Sequence, residues 1–364
     1  MSSSFGSIFR ISTWGESHGV GVGVVIDGCP ARLPLCAEQI QAELNRRRPG
    51  QSDIVTPRNE ADTVEILSGV VDGLTTGTPI ALSVRNKDHK SSAYDEMQHS
   101  YRPSHADFTA HEKYHGFEDY RGGGHFSGRL TAALVAAGAI VIPALREKGI
   151  YIGTCINQID RIGISDIPTD REGLLAIAES DYGLTDDYAA SMMKDTIELA
   201  AKEGDSVGGV LETAIIGLPA GLGEPWFDGV ESQIARAVFG IPAVKSVAFG
   251  AKDIETMRGS RANDAFTVKN GEIVTATNNS GGIQGGITNG MPVIFRTAIK
   301  PTPSIAQIQK TINMSTGKET EMIIKGRHDP CIVPRARIVL DSVAALIVAD
   351  MLTVRYGSDA LTSK

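Results

Sequence analysis

Paired cysteines are missing from this sequence. Four cysteines are spread along its 364 residues, and none belongs to a C-x-x-C pair of the kind that binds metal or carries redox chemistry. The spacing therefore gives no sign of a disulfide framework, and it favours a reducing, cytoplasmic setting. The four residues are Cys29, Cys36, Cys155 and Cys331.

Long apolar segments are missing as well. The longest, residues 130–145, contains Pro143 and is shorter than the roughly 20 residues that cross a bilayer. We interpret it as a buried core helix and expect no membrane span. The first ten residues lack the basic segment and apolar run of a secretory signal.

Positive charge is not in excess. The chain has 35 lysine and arginine residues against 43 aspartate and glutamate residues, which gives a formal net charge of -8. Nucleic acids and anionic membranes bind to basic surfaces, so neither is expected as a general partner. A small anionic ligand would have to meet a local cluster of arginines.

The order of predicted elements indicates an α+β chain. Strands are predicted at 20–27, 64–71, 80–85, 207–216 and 292–299, and helices at 37–47, 130–148, 191–203, 230–239, 304–312 and 342–356. Asp341 is a plausible cap for the last helix. No proline-rich or serine-rich boundary divides the chain, so we predict a single domain over residues 1–364, with a helical excursion at about 160–205.

Many of the forty glycines lie in polar loops, beside Gly15, at 122–128 and at 281–286. The 122–128 cluster leads directly into the apolar segment that begins at Leu130. A glycine loop followed by a helix directs backbone amides toward an anion. The loop lacks the Gly-Lys-Ser/Thr ending of a phosphate-binding P-loop and the preceding strand of a dinucleotide motif. It predicts an anion site of unspecified type, and a simple glycine-rich turn is the alternative.

Candidate ligand-binding and proton-transfer residues also lie in turns. Arginine forms paired hydrogen bonds with oxyanions, and it is found beside turn signals at 46–48, Arg102, Arg129 and Arg327. Histidine is the side chain best suited to proton transfer near neutral pH. His18 and His105 lie in polar turns without helical periodicity, and Asp329 precedes a proline. Each of these residues, taken singly, could equally be structural.

One motif points to different chemistry. His111, Glu112 and His115 match the H-E-x-x-H pattern of zinc hydrolases. A zinc-binding helix should be continuous and apolar, whereas here Gly116 follows at once and the flanks are polar. We therefore interpret the match as a coincidence and expect no metal, with a zinc hydrolase as the alternative.

Taken together, these segments resemble the chorismate synthase family from Phe5 through about Met351. The resemblance implies a β-α-β sandwich, a homotetramer and a deep pocket that holds reduced FMN and substrate. It implies a lyase that eliminates phosphate from 5-enolpyruvylshikimate 3-phosphate in the last common step of aromatic amino acid biosynthesis. The matching segments are 9–30, 46–50, 67–79, 101–107, 119–124, 202–206 with 217–225, 281–286, 300–302 and 325–331.

The resemblance also assigns residues by motif position. His18 resembles the acid that assists phosphate departure, His105 the acid that protonates the reduced flavin, and Asp329 the carboxylate that helps to deprotonate the flavin nitrogen. Substrate contacts are implied for Ser17, Arg47, Arg102, Gly128, Arg129 and Arg327. Flavin contacts are implied for His125, Phe126, Ser127, Ala243, Gly285, Lys300, Pro301, Thr302, Pro303, Ser304 and Arg327.

The chain departs from the common family pattern at three positions. His125 stands where many members have arginine, Leu130 where they have glutamate, and Asp53 where a basic residue is frequent, with Arg58 as a possible substitute. A non-catalytic protein that binds flavin or an anion is a second alternative. The sequence leaves open whether NADPH reduces the flavin on this chain or on a separate flavin reductase.

Overall fold

The computed structural model describes residues 3–48, 62–86, 100–164, 166–180, 182–184, 186–324 and 329–362. Eight α-helices occur within these residues: α1 Ala37–Arg47, α2 Asp107–Tyr114, α3 Thr131–Glu147, α4 Arg171–Glu179, α5 Asp187–Lys202, α6 Val230–Val238, α7 Gly259–Ala262 and α8 Val333–Tyr356. Short 3-10 turns at Arg121–Phe126 and Gly128–Leu130 connect α2 to α3.

The described strands form two five-stranded antiparallel sheets, a three-stranded sheet with the order β4-β7-β6, and three two-stranded hairpins. The first sheet has the order β1-β2-β3-β8-β5 and the second the order β10-β9-β11-β17-β12. The strands are β1 Ser4–Phe5, β2 Arg10–Gly15, β3 Gly21–Asp27, β4 Ala31–Pro34, β5 Val64–Ser68, β6 Val70–Val71, β7 Leu74–Thr76, β8 Ile80–Arg85, β9 Tyr151–Ile159, β10 Ile162–Gly163, β11 Gly209–Ile216, β12 Val244–Phe249, β13 Phe266–Lys269, β14 Glu272–Thr275, β15 Ile283–Gln284, β16 Ile287–Thr288, β17 Val293–Ile299, β18 Gln309–Asn313 and β19 Lys318–Met322.

Two apolar helices form the layer between the sheets. Helix α3 packs against β3 and β8 of the first sheet, and α8 packs against α3 and against β9 and β11 of the second. A helix that is apolar on all sides must be buried on all sides, and 19 of the 24 residues of α8 are buried. The helices approach closely at Gly138, where a Cβ atom would lie 2.5 Å from the Cβ of Ser342. The arrangement is a β-α-β sandwich, as expected.

The apolar segment near residue 130 is a core helix. Among the described residues, one helical stretch, Gly128–Glu147, is long and apolar enough to cross a membrane, but 72% of its most apolar window is buried inside the structure. Residues 160–205 contain the helices α4 and α5. Helix α5 begins at Asp187, because the Asp186 carboxylate accepts hydrogen bonds from the amides of Tyr188 and Ala189.

Three predictions of elements were wrong. Residues 304–312 do not form a helix, because 309–313 pair with β19 as strand β18. The last helix begins at Val333, so Asp341 is not its cap but a buried residue inside it. The strand predicted at 64–71 is broken at Gly69, whose φ of +84° separates β5 from β6.

Candidate active site

A turn of three glycines brings the two candidate histidines together. Gly122, Gly123 and Gly124 have φ values of 58°, 88° and 52°, which glycine adopts without steric cost. A Cβ atom on Gly122 would lie 2.2 Å from Nδ1 of His18, and one on Gly123 would lie 3.0 Å from Cε1 of His105. Both imidazole rings therefore lie against neighbouring residues of one backbone turn, at a distance that only glycine permits.

His18 lies in the loop between β2 and β3 and is buried, with 9% of its surface exposed. The amide of Ser17 donates to the carbonyl of Gly124 at 3.0 Å, which fastens this loop to the glycine turn. Asn86 holds the other side, since its Nδ2 donates to the carbonyls of Glu16 at 2.9 Å and Gly19 at 3.0 Å. The position of His18 is thus fixed from two directions.

Two predicted arginines share one buried carboxylate. Asp62 accepts a hydrogen bond from Nη1 of Arg47 at 3.2 Å and another from Nη1 of Arg129. Arg129 also donates from Nε to Oδ1 of Asn86 at 3.1 Å, which joins the arginine pair to the His18 loop. Asp62 balances part of the positive charge that the two guanidinium groups bring to the site.

The two arginines differ in their access to a ligand. Arg47 is 1% exposed and donates to Thr131 Oγ1 at 2.9 Å and to the Gly128 carbonyl at 2.8 Å. Arg47 therefore supports the turn before α3. The Arg129 side chain is 11% exposed, and it is the better placed of the two to meet a substrate oxyanion.

His105 belongs to a compact charged group at the start of α2. Its Nδ1 lies 2.6 Å from Oδ1 of Asp107, which also accepts from Nη2 of Arg102 at 2.7 Å. Burial alone would raise the pKa of Asp107, but the hydrogen bonds from Arg102 and His105 outweigh it and lower the pKa well below its usual value. Asp107 is therefore ionised at neutral pH.

Asp329 is buried and is linked to Arg47 through Arg335. Its Oδ2 accepts from Nη1 of Arg335 at 3.2 Å, and its Oδ1 accepts from the amide of Cys331 at 3.3 Å. Arg335 also donates from Nε to the carbonyl of Arg47 at 3.2 Å. These contacts connect Asp329, the third predicted catalytic residue, to Arg47.

The predicted flavin residues around 125–127 have mainly protein contacts. Nδ1 of His125 lies 2.8 Å from the carbonyl of Gly15, and its Nε2 lies 3.1 Å from Oγ of Ser3. The two ring nitrogens thus hold the glycine turn against the end of β2 and against the residue before β1. Oγ of Ser127 accepts from the amide of Arg129 at 3.3 Å, while Phe126 is 38% exposed.

The second sheet contributes the segment that follows β17. Lys300 donates from its amide to the carbonyl of Ala243 at 2.9 Å and from Nζ to the carbonyl of Ser104 at 2.6 Å. This contact places Lys300, the first residue of the 300–304 segment that also contains Pro301, Pro303 and Ser304, next to the His105 turn. Burial, and to a smaller extent the positive charge of Lys245, lower the pKa of Lys300.

Two other predicted contacts are Gly285 and Arg327. Gly285 lies in the turn between β15 and β16, where the carbonyl of its neighbour Gly286 accepts from the amide of Val230 at 2.9 Å. Arg327 lies outside the described residues, as do Asp53 and Arg58.

Sequence reasoning missed three residues that organise the site: Asp62, Asn86 and Asp107. Asp107 could have been found, because it stands two residues after His105 and opens a helix. Asp62 and Asn86 gave no signal, because each flanks a strand and its partners are distant in the sequence.

The zinc-like motif does not lie on one continuous helix. His111 is in the last turn of α2, whereas His115 ends the helix with a left-handed φ of 58°. Nδ1 of His111 lies 3.2 Å from Oε1 of Glu118. Within the described part of the chain, no group of three or more His, Cys, Asp or Glu residues could hold a metal ion.

Within a β-α-β sandwich, the described residues place two histidines, with arginines and carboxylates beside them, around a glycine turn, a set of side chains suited to acid-base chemistry. A sequence model of the family described as "Chorismate synthase" matches residues 9–353. The chain belongs to the chorismate synthase family, whose members are lyases of aromatic biosynthesis.

Relatives in bacteria and archaea support this assignment over nearly the whole chain. A chorismate synthase of Lachnospira eligens is 49% identical over 354 residues, covering 96% of this chain and 94% of that protein. One of Methanosarcina barkeri is 47% identical over 347 residues, covering 95% and 94%. A crystal structure of a chorismate synthase aligns with a TM-score of 0.76 and 32% identity, covering 97% of this chain and 94% of the other.

Proposed function

We propose that this protein eliminates phosphate from 5-enolpyruvylshikimate 3-phosphate to give chorismate, and that it requires reduced FMN. The observation that carries the proposal is the placement of His18 and His105 against adjacent glycines of one turn. The reaction breaks one C–H bond and one C–O bond in an anti 1,4-elimination, without net redox change. It therefore needs groups that move protons and groups that receive an oxyanion.

Within this proposal, His18 donates the proton that assists phosphate departure. Protonation lowers the negative charge of the departing phosphate and makes it a better leaving group, and general acids typically contribute roughly 100- to 10,000-fold in rate. Arg129 pairs with an oxyanion of the substrate, while Arg47 and Asp62 hold Arg129 and the Gly128 turn in place. Ser17, Arg102 and Arg327 complete the proposed substrate contacts.

His105 and Asp329 serve the cofactor side of the site. We assign to His105 the proton that the reduced flavin requires and to Asp329 the base that helps to remove a proton from it. A bound reduced flavin would supply transient electron-donor chemistry without net redox change. Residues around the glycine turn and after β17 provide the protein's part of this arrangement.

The described residues fit a flavin phosphate. Lys300 and Lys245 lie near enough for their charges to interact, and a bound anion would stabilise both ammonium groups. Oγ1 of Thr302 is buried and has no hydrogen-bond partner among the described residues, so it is available to a ligand. The proposed cofactor contacts are His125, Phe126, Ser127, Ala243, Gly285, the 300–304 segment and Arg327.

We further propose a homotetramer in the cytoplasm, supplied with reduced flavin by a separate reductase or through NADPH. Large apolar side chains are exposed on the β13–β14 hairpin, where Phe266 is 68% and Ile273 is 73% exposed. Trp226 and Phe227 are 85% and 87% exposed. Contiguous exposed apolar groups typically mark surfaces covered by a partner.

The test is an anaerobic assay of purified protein with reduced FMN and 5-enolpyruvylshikimate 3-phosphate. Chorismate and phosphate should form in equal amounts, and Arg129→Ala should weaken substrate binding by at least tenfold because an oxyanion loses its partner. Arg10→Ala is the matched control, because the Arg10 side chain is 57% exposed. Flavin binding without turnover would instead support a non-catalytic binding protein.

A further inference from the structure

The start of α2 holds a carboxylate with an unusually complete set of donors. Oδ2 of Asp107 accepts from the amide of Arg102 at 2.9 Å and from its Nε at 2.8 Å. Oδ1 accepts from Nη2 of Arg102 at 2.7 Å and lies 2.6 Å from Nδ1 of His105. The Nε and Nη2 atoms of Arg102 therefore bind the two carboxylate oxygens of Asp107 in a bidentate pair, and the carboxylate cannot rotate freely.

The contact between Asp107 and His105 decides where the imidazole carries its proton. An ionised carboxylate only accepts hydrogen bonds, so a separation of 2.6 Å requires a proton on Nδ1. Nη2 of Arg102 also lies 3.1 Å from Nδ1, but it can donate to Nδ1 only if that nitrogen is unprotonated. An unprotonated Nδ1 would leave two electron-rich atoms in contact without a proton between them.

The other ring nitrogen faces the glycine turn. A Cβ atom on Gly123 would lie 3.2 Å from Nε2 of His105 and 3.0 Å from Cε1. Nε2 of His105 therefore faces the same glycine turn that lies against His18. Lys300 holds the preceding residue, Ser104, through its carbonyl and its hydroxyl at 2.6 and 2.9 Å.

We infer that Asp107 is a positioning residue that keeps the His105 proton on Nδ1, so that Nε2 is the atom that exchanges protons in the site. The inference rests on the proposed role of His105 as an acid. Doubly protonated His105 gives its Nε2 proton to the acceptor and keeps its Nδ1 proton, which stays hydrogen-bonded to the Asp107 carboxylate. Arg102 acts through Asp107 in this scheme, in addition to any contact with substrate.

Asp107→Asn tests the positioning role of the carboxylate, because it keeps the size of the side chain and replaces one acceptor oxygen with a donor. Oδ2 accepts two hydrogen bonds from Arg102 and Oδ1 accepts one, so the amide should place its oxygen on the Oδ2 side. Its NH2 group then faces His105 and donates to Nδ1, which moves the proton of the neutral ring to Nε2. The two tautomers have different nitrogen resonances in 15N spectra of histidine-labelled protein, and His105→Ala identifies the resonances of His105.

We expect the parent spectrum to show the Nδ1–H tautomer and Asp107→Asn to show the Nε2–H tautomer. Turnover of the variant should fall roughly 100-fold or more, with KM changed less than about threefold. Asp107→Glu retains an acceptor, so it should retain the parent tautomer and recover part of the turnover. If Asp107→Asn does not fold, the tautomer and turnover of Asp107→Glu still test the inference.

Glu118→Gln is the matched control, because Glu118 forms the other carboxylate contact to a histidine of α2, at 3.2 Å from His111. Its turnover should remain within about twofold of the parent. An Nε2–H tautomer in the parent, or Asp107→Asn with a changed tautomer and parental turnover, would overturn the inference. The spectra are read without substrate, so failure of the proposed reaction would show as absent chorismate in the parent while the tautomer result stood.

Discussion

The two ends of helix α2 carry similar groups in different surroundings. At the start, His105 contacts Asp107 and lies against Gly123; at the end, His111 contacts Glu118 and lies against Gly116. The glycine Cβ position is 3.0 Å from Cε1 of the ring at the first end and 3.1 Å at the second. Local geometry alone therefore does not distinguish the two histidines.

The surroundings of the carboxylates do distinguish them. Asp107 receives three hydrogen bonds from Arg102 in addition to its contact with His105. Oε2 of Glu118 is buried without a hydrogen-bond partner among the described residues. Gly123 is continuous with the turn that contacts His18, whereas Gly116 belongs to the local end of its own helix. His105 therefore differs from His111 in two ways. Arg102 fixes its carboxylate partner, and the glycine turn connects it to His18.

The largest difference should come from removing the two rings. His105→Ala should lower single-turnover chorismate formation by roughly 100- to 10,000-fold, the usual contribution of a general acid. His111→Ala should stay within a few-fold of the parent, because its ring is outside the glycine turn. Rapid-quench measurements with reduced FMN, run beside thermal melts, separate a loss of chemistry from a loss of folding. Equal losses in the two variants would remove the distinction between the ends.

A smaller difference should come from the two glycines. Gly123→Ala and Gly116→Ala both place a Cβ at positive φ, 88° and 78°, and close to a histidine, so each should destabilise the fold by about 1–3 kcal/mol. Only Gly123→Ala should also displace the His105 ring, with a turnover loss of roughly tenfold or more. Urea unfolding and turnover are measured on both variants, and a Gly116→Ala variant that loses as much turnover per molecule folded would contradict the comparison.

The acid limb of stability should depend on Asp107. A carboxyl whose pKa is lowered by folding binds fewer protons folded than unfolded, so its stabilisation is present above about pH 4 and is lost as the pH falls toward the folded pKa. The parent should therefore lose stability with an extra slope of up to about 1.4 kcal/mol per pH unit below pH 4 that Asp107→Asn lacks. Urea unfolding from pH 5 to pH 2, with equal m-values required, checks this, and parallel curves would rule it out.

Much of the fold could be predicted from sequence because apolar periodicity reflects burial directly. The strands at 20–27 and 80–85 and the helix after Leu130 follow this rule. The helix at 304–312 failed because Ile305, Ile308 and Ile312 have helical spacing, although the segment is half exposed and pairs with β19. Asp341 resembled a helix cap because aspartate is common at helix N-termini, but it lies inside α8. There, burial raises the pKa of Asp341, and the positive charges of Arg46 and Arg337 partly offset that effect.

Candidate site residues could be proposed from the sequence where a local motif contains them, but not where distant residues complete the arrangement. His18, His105 and the glycine turn could be selected because polar turns without periodicity are poor core material. The structural role of Arg47 could not be predicted, because its partners are distant in the sequence. Packing of α1 against α3 brings Gly128 and Thr131 to it, and packing of α1 against β5 brings Asp62. Asp107 was visible but ambiguous, since an acidic residue is favoured in the first turn of any helix.

The smallest expected effect is that of zinc at the far end of α2. Two histidines bind zinc from one helix face when they are four residues apart on a continuous helix, but His115 has left the helix with a φ of 58°. Elemental analysis of purified protein should therefore find less than stoichiometric zinc. A chelator should leave both turnover and the melting temperature unchanged, and His115→Ala should behave as the parent does in both measurements. Stoichiometric zinc together with chelator-sensitive turnover would make the H-E-x-x-H end of α2 the functional one and reverse the comparison of the two ends.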